Sequence, residues 1–351
     1  MSRLATVLVN SRSRSARVLF PWSMWAIMQK LRIFFNGGRF YRSTKIRPFC
    51  GKAYVWGLAS LPAFFHLQPA LPSPGAATAT TASSKFRLLF FNALACYLLA
   101  YQVVRFVAEG TPVYMARRAF IPGVWSLGGV RFIIGDGGWR YNTVLSVYGL
   151  GPTLLFGLGV VAFGLFWKWQ RQRRGLGKLL LLWLSFHAAN TILAGLLADT
   201  VTQSGSWYVP NWLLGGGGTW PSPVLGILFA LLQIGLGFLA AIPFLLAQDS
   251  RTALQFDNRL RLIAYTVVGP WLGGSLLLIL SRLPSFNLNE TLHFATMGLL
   301  LVPLALGCNQ EFFNQNTMLP YPTRGAWGLL AVAILGLLAW RLALATPILF
   351  R

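Results

Sequence analysis

The chain is a succession of long apolar runs separated by short clusters of Arg, Lys, Gly and Pro. Each run of about 17 or more residues without charge is long enough to cross a ~30 Å hydrocarbon core as a helix. The first such run spans 88–104, between Lys85/Arg87 and Arg105. The others are expected near 143–167, 179–198, 224–247, 262–280, 292–307 and 326–345. The pattern therefore predicts an all-α, polytopic transmembrane bundle of about seven spans.

The polar punctuation orders these spans. The segment KWQRQRRGLGK, with Lys168, Arg171, Arg173, Arg174 and Lys178, lies between the second and third spans. Short loops this basic stay cytoplasmic, as does the loop at 248–261 that carries Arg251, Arg259 and Arg261. Cell-membrane residence follows, with a bacterial inner membrane as the first expectation. The loop QSGSWYVPNWLLGGGGTWPSP then falls outside, with Trp207, Tyr208, Trp212 and Trp220 suited to the headgroup layer. Between the first two spans, FIIGDGGW reads as a turn at Asp136 and Gly137 between short extended pieces.

Residues 1–70 form a basic leader or arm, and 71–84, with LPSPGAATATTASS, read as a flexible linker before a membrane domain at 85–351. No Asp or Glu precedes Glu109, whereas 11 Lys and Arg lie in the first 84 residues. That composition fits an organellar transit peptide, a basic arm with aromatics on the membrane surface, or a start codon placed too early.

Composition narrows the class further. Of 351 residues, 55% are apolar and only 11% charged, too few charges for a water-facing surface. The formal charge of +23 would point to nucleic acid in a soluble protein, but here the basic residues flank apolar runs and meet anionic lipid. Expected partners are membrane lipid and another membrane protein or a second copy, and not nucleic acid. Cys50, Cys96 and Cys308 stand far apart, so neither a disulfide framework nor a zinc site is expected.

Candidate chemistry is sparse. His187, Asn190, Thr191, Ala194 and Ala198 fall on one face of the third span as a small, polar stripe on a Leu-rich helix. Such a stripe turns toward other helices or a wet cavity, as a hydrogen-bonded packing seam or as a place for solute, proton or metal at His187. Asp199 closes that span near the outer interface, where a solvated carboxylate is the ordinary outcome. Glu290 and His293, at i and i+3, form a second cluster opening the sixth span, where their side chains could meet. Alternatively Glu290 fills a helix's first turn with Asn289 as cap. His187 belongs nearer the inner face and His293 nearer the outer, so one site using both is not expected.

Gly-Pro pairs mark Pro152 in the second span and Pro270 in the fifth, and each frees backbone groups that only protein or trapped water can satisfy at that depth. Gly269 and Gly273 add a GxxxG spacing suited to close helix contact. The segment FHAAN lacks the glutamate of HExxH, and no GxSxG or Walker loop occurs. No catalytic residue, metal or cofactor is therefore assigned. The leading functional expectation is transport or permeation of a small solute, past His187, Asn190, Thr191 and the backbone near Pro152 and Pro270. A non-catalytic membrane scaffold or assembly partner is the alternative. An enzyme acting on lipid ranks third, because seven acids in the whole chain leave little for metal-held pyrophosphate.

Overall fold

A computed structural model describes residues 75–214, 218–285, 287–310 and 324–351. The expectations for residues 1–70, and for the linker as far as residue 74, lie outside the described residues. Helix α1 runs from Gly75 to Arg118, its first turns passing through the Ala/Thr/Ser tract of the expected linker. It continues beyond Arg105, the predicted end, because Arg105 meets Glu109 one turn on and a third-party carboxylate, Glu290. A charge that looks like punctuation in sequence is thus internal.

A hairpin follows, β1 (Gly123–Ser126) and β2 (Gly129–Phe132), antiparallel with Ser126 opposite Gly129. The two-residue turn is Leu127-Gly128, and Gly129 at φ +107° supplies the left-handed conformation that lets the chain reverse. The hairpin lies upstream of the place the sequence suggests, and Asp136–Gly138, expected as its turn, form a single 3-10 turn after it.

Helix α2 (Tyr141–Leu165) ends in a π turn at Phe166–Gln170. The third span is two helices, α3 (Gly177–Ile192) and α4 (Gly195–Thr202). A short α5 (Tyr208–Leu214) packs back on α2, with the Tyr148 and Tyr208 rings 4.8 Å apart, and α6 (Pro221–Leu246) is the fourth span. After a single turn, α7 (Arg251–Leu254), the fifth span comprises α8 (Phe256–Ile263), a π turn at Ala264–Val268 and α9 (Gly269–Arg282). The sixth is again two helices, α10 (Leu288–Thr296) and α11 (Gly298–Cys308). Helix α12 (Trp327–Ala343) and strand β3 (Ile348–Phe350), paired with β1, complete the chain.

Among the described residues six helical stretches are long and apolar enough to cross a membrane, and α12 adds a shorter apolar helix of 17 residues. The chain is an all-α bundle of about seven spans, as the hydrophobic pattern predicts. Its outward faces are apolar: Phe156, Val161, Ile227, Leu231 and Leu335 are all more than half exposed, the mark of a helical membrane protein.

Helix α1 occupies the middle, packed against α2, α3, α9 and α12. Tyr97 and Trp183 meet edge to face at 5.1 Å, and Tyr97 leaves room on α9 only for glycine, since a Cβ at Gly274 would overlap its ring. Of the GxxxG glycines, Gly269 is tight, since a Cβ there would lie 3.0 Å from the Phe90 ring, whereas one on Gly273 would make an ordinary contact at 3.8 Å. The tightest backbone approach joins α6 to α11, where Gly237 faces the Leu300 carbonyl and Gly307 faces Ala241.

Both ends of the bundle are tied by polar contacts. At one, Lys178 pairs with Asp249, and the Gly175 amide donates to the same carboxylate at 3.0 Å, joining the two basic loops. There too Arg259, 1% exposed, donates to the carbonyls of Leu254, Cys308 and Gln310 and closes the end of α11. At the other end the three-stranded sheet lies over Arg282, whose guanidinium donates to the Leu127 carbonyl at 3.2 Å.

Candidate functional site

The third and sixth spans are the unusual ones, because each is interrupted. Helix α3 stops at Ile192 and α10 at Thr296. These breaks lie eight and nine residues from the span ends at Thr202 and Leu288, on the order of 12 to 14 Å deep at a rise of ~1.5 Å per residue. Neither contains proline, and none of Pro152, Pro243 and Pro303 interrupts its helix. Pro270 follows the π turn at Ala264–Val268, which relaxes the backbone ahead of it. The helix interruptions thus fall at other places than the Gly-Pro pairs predicted, because Pro removes one amide bond without forcing a halt when the neighbouring turn can widen.

Side-chain amides from a neighbouring span satisfy the interrupted backbone. Gln233, in the middle of α6 and fully buried, accepts from the Ala194 amide at 2.9 Å. Its Nε2 donates to Asn190 Oδ1 at 2.9 Å and to the Thr296 carbonyl at 3.1 Å. Asn190 Nδ2 donates to the His293 carbonyl at 2.8 Å, and Thr296 Oγ1 lies 3.3 Å from Asn190 Oδ1. One polar crossing therefore joins three spans at membrane depth, where an unmet backbone group would cost several kcal/mol. Gln233 went unremarked in the sequence reading, although a lone amide within VLGILFALLQIGLGF is the signal that marks a functional or packing position in a membrane helix.

The predicted stripe divides. Asn190 belongs to the crossing, Thr191 Oγ1 turns back to the His187 carbonyl at 2.9 Å, and His187 sits apart. Its ring lies between Tyr97, Tyr101 and Trp183, at 4.5, 5.7 and 6.0 Å, and its buried Nε2 has no hydrogen-bond partner among the described residues. Pro152 and Pro270 join neither group. The expected pathway lining is consequently not one surface.

Asp199 and the second cluster also rearrange. Glu290 and His293 do not meet. His293 Nε2 lies 3.0 Å from Asp199 Oδ1, while Glu290 turns away to Arg105 at 3.1 Å, Arg282 at 2.6 Å and the Tyr101 hydroxyl. The sequence reading paired the two by helical spacing, but partners on other helices offer full charges, which win over an i,i+3 contact worth a few tenths of a kcal/mol. The cap of α10 is Asn287, whose Oδ1 accepts from the Glu290 amide at 3.4 Å. Asn289, the predicted cap, instead donates to Asp199 at 2.8 Å and Thr202 at 2.8 Å. Asp199 is buried rather than solvated, and it also accepts from the Ser206 amide at 2.9 Å and from the Ser206 hydroxyl.

This Ser206-Asp199-His293 line does not activate a nucleophile. For that the imidazole must stand between carboxylate and hydroxyl, whereas here the carboxylate stands between the other two. Its evident work is to fasten α4 to the start of α10. Among the described residues no three His, Cys, Asp or Glu side chains come close enough to hold a metal. Glu109 and Arg282, with the half-buried Arg105, which the sequence presents as charges flanking spans, are members of the Glu290 network inside the bundle, and Trp125 Nε1 donates to Glu109 at 3.0 Å. No family model, curated protein or solved structure matches this chain.

Proposed function

We propose that the chain moves a small polar solute across the membrane, and that the solute passes the crossing of the two interrupted spans. The supporting observation is the pair of breaks at like depth in spans three and six, bridged by Gln233. Interrupted helices at mid-membrane supply backbone donors and acceptors that a solute can take over from a side-chain amide. The polar set is Asn190, Gln233 and Thr296, with Asn190 alone carried over from the sequence expectation. A structural, scaffold-like role is the second reading, and the completeness of the hydrogen bonding at the crossing favours it.

Solvent access separates the two. With Cys50→Ser in the background, Thr296→Cys in proteoliposomes reacts with a small methanethiosulfonate within tenfold of the rate at the exposed Gln203→Cys, because a pathway admits water. Reaction as slow as that of the buried Cys96 overturns transport through this crossing. The unfolding temperature of the variant, close to that of the parent, establishes that the fold is retained.

The same proposal carries an orientation in a cell membrane, first of all a bacterial inner membrane, with lipid around the apolar faces and a membrane-protein neighbour or second copy beside them. Basic loops 168–178 and 248–261 share one end of the bundle through Asp249, and that end is cytoplasmic by its Lys and Arg content. Gln203→Cys is then labelled in intact cells by an impermeant maleimide while Arg173→Cys is not. Labelling at Arg173→Cys instead reverses the orientation.

A further inference from the structure

A small cavity lies at the sheet-covered end, between α1, α9 and α12, lined among others by Arg105, Ser281, Arg282, Trp340 and Arg341. Its volume is about 10 Å³, room for roughly one water-sized species. Its polar inventory is one-sided. Arg341 donates to the Ser281 carbonyl at 2.7 Å and has no carboxylate partner among the described residues. Arg105 and Arg282 share Glu109 and Glu290, so three guanidiniums face two carboxylates and one formal positive charge is left over. Two buried donors, Arg105 Nε and Trp340 Nε1, have no acceptor among the described residues. Both belong to residues lining this cavity.

A buried N–H without an acceptor costs about 1 to 3 kcal/mol, and the unpaired charge of the half-buried Arg341 adds to the pull on an anion. A water would meet the donors but not the charge. A halide, a single atom somewhat larger than water, meets both once the flexible arginine ends give slightly, whereas a carboxylate, phosphate or sulfate brings at least three heavy atoms to the same space. We propose that this cavity is a binding site for a single halide-sized anion, chloride being the abundant candidate, which bridges the first, fifth and seventh spans. The site is independent of the solute crossing, because none of Asn190, Gln233 and Thr296 lines it.

The test uses the full chain, purified in detergent at fixed ionic strength, with gluconate as the reference anion. Chloride and bromide raise the unfolding temperature in a saturable way, by several degrees, and phosphate does not. Trp340→Phe, which removes the indole N–H and little volume, and Arg341→Gln each raise the half-saturating halide concentration at least tenfold while the protein stays folded in gluconate. Equal unfolding temperatures in chloride and gluconate overturn the proposal, as does an unchanged halide dependence in Trp340→Phe. Stabilisation by phosphate or phosphatidylglycerol in place of halide also overturns it, and assigns the arginines to a lipid headgroup.

Discussion

Glu290→Gln lowers the stability of the protein by about 3 to 5 kcal/mol, the cost of leaving a buried charge without its partner. Glu290 is the carboxylate that two guanidiniums share: Arg282 at 2.6 Å from α9 and Arg105 at 3.1 Å from α1, with the Tyr101 hydroxyl completing the set. Glutamine keeps the shape and one acceptor but removes the charge, so Arg105 and Arg282 then face Glu109 alone. Denaturant unfolding in detergent micelles measures the loss. In a double-mutant cycle, Glu290→Gln with Arg282→Met loses less than the two single changes added together, because the second removes the charge that the first strands. Strict additivity would show that Glu290 and Arg282 are not coupled and that their pair is not what joins α10 to α9.

Gly237→Ala destabilises the α6–α11 pair by about 1 to 3 kcal/mol or more, the range for overfilling a packed contact. A methyl group there overlaps the Leu300 carbonyl oxygen and comes within 3.0 Å of Pro303 Cβ. Backbone cannot rotate away as a side-chain end can, so the two helices must separate along a seam that Gly307 and Ala241 also keep narrow. Between membrane helices close packing carries much of the association, since lipid tails are as apolar as Leu. Gly157→Ala is the control: it meets nothing within 4 Å, and it leaves stability unchanged or raises it by up to ~1 kcal/mol through helix propensity. Equal behaviour of the two variants in thermal unfolding would show that α6 and α11 do not touch as described.

Spans, fold class and loop order were legible in the sequence because each rests on a property of contiguous residues. A run such as Pro221–Leu246 has no charge and the length of a bilayer, so hydrocarbon itself selects it as a helix. The alternation of spans places Asp199 and His293 toward the same end, and their side chains do meet, 3.0 Å apart. The sequence could not say with whom a polar residue pairs, because pairing joins residues distant in the chain. Arg105 resembled a boundary until Glu290, 185 positions later, met it inside the protein. Glu290 and His293 are neighbours by helical spacing, yet they face different helices. The helix interruptions at Leu193–Ala194 and Met297 carry no Gly-Pro mark, since Gln233 and Asn190 on neighbouring spans make them tolerable by supplying the hydrogen bonds the backbone gives up. The hydrophobic pattern by itself determined which stretches are long and apolar enough to cross a membrane. Only tertiary structure decided which buried charges and amides meet, because at membrane depth each must find its partner within the protein.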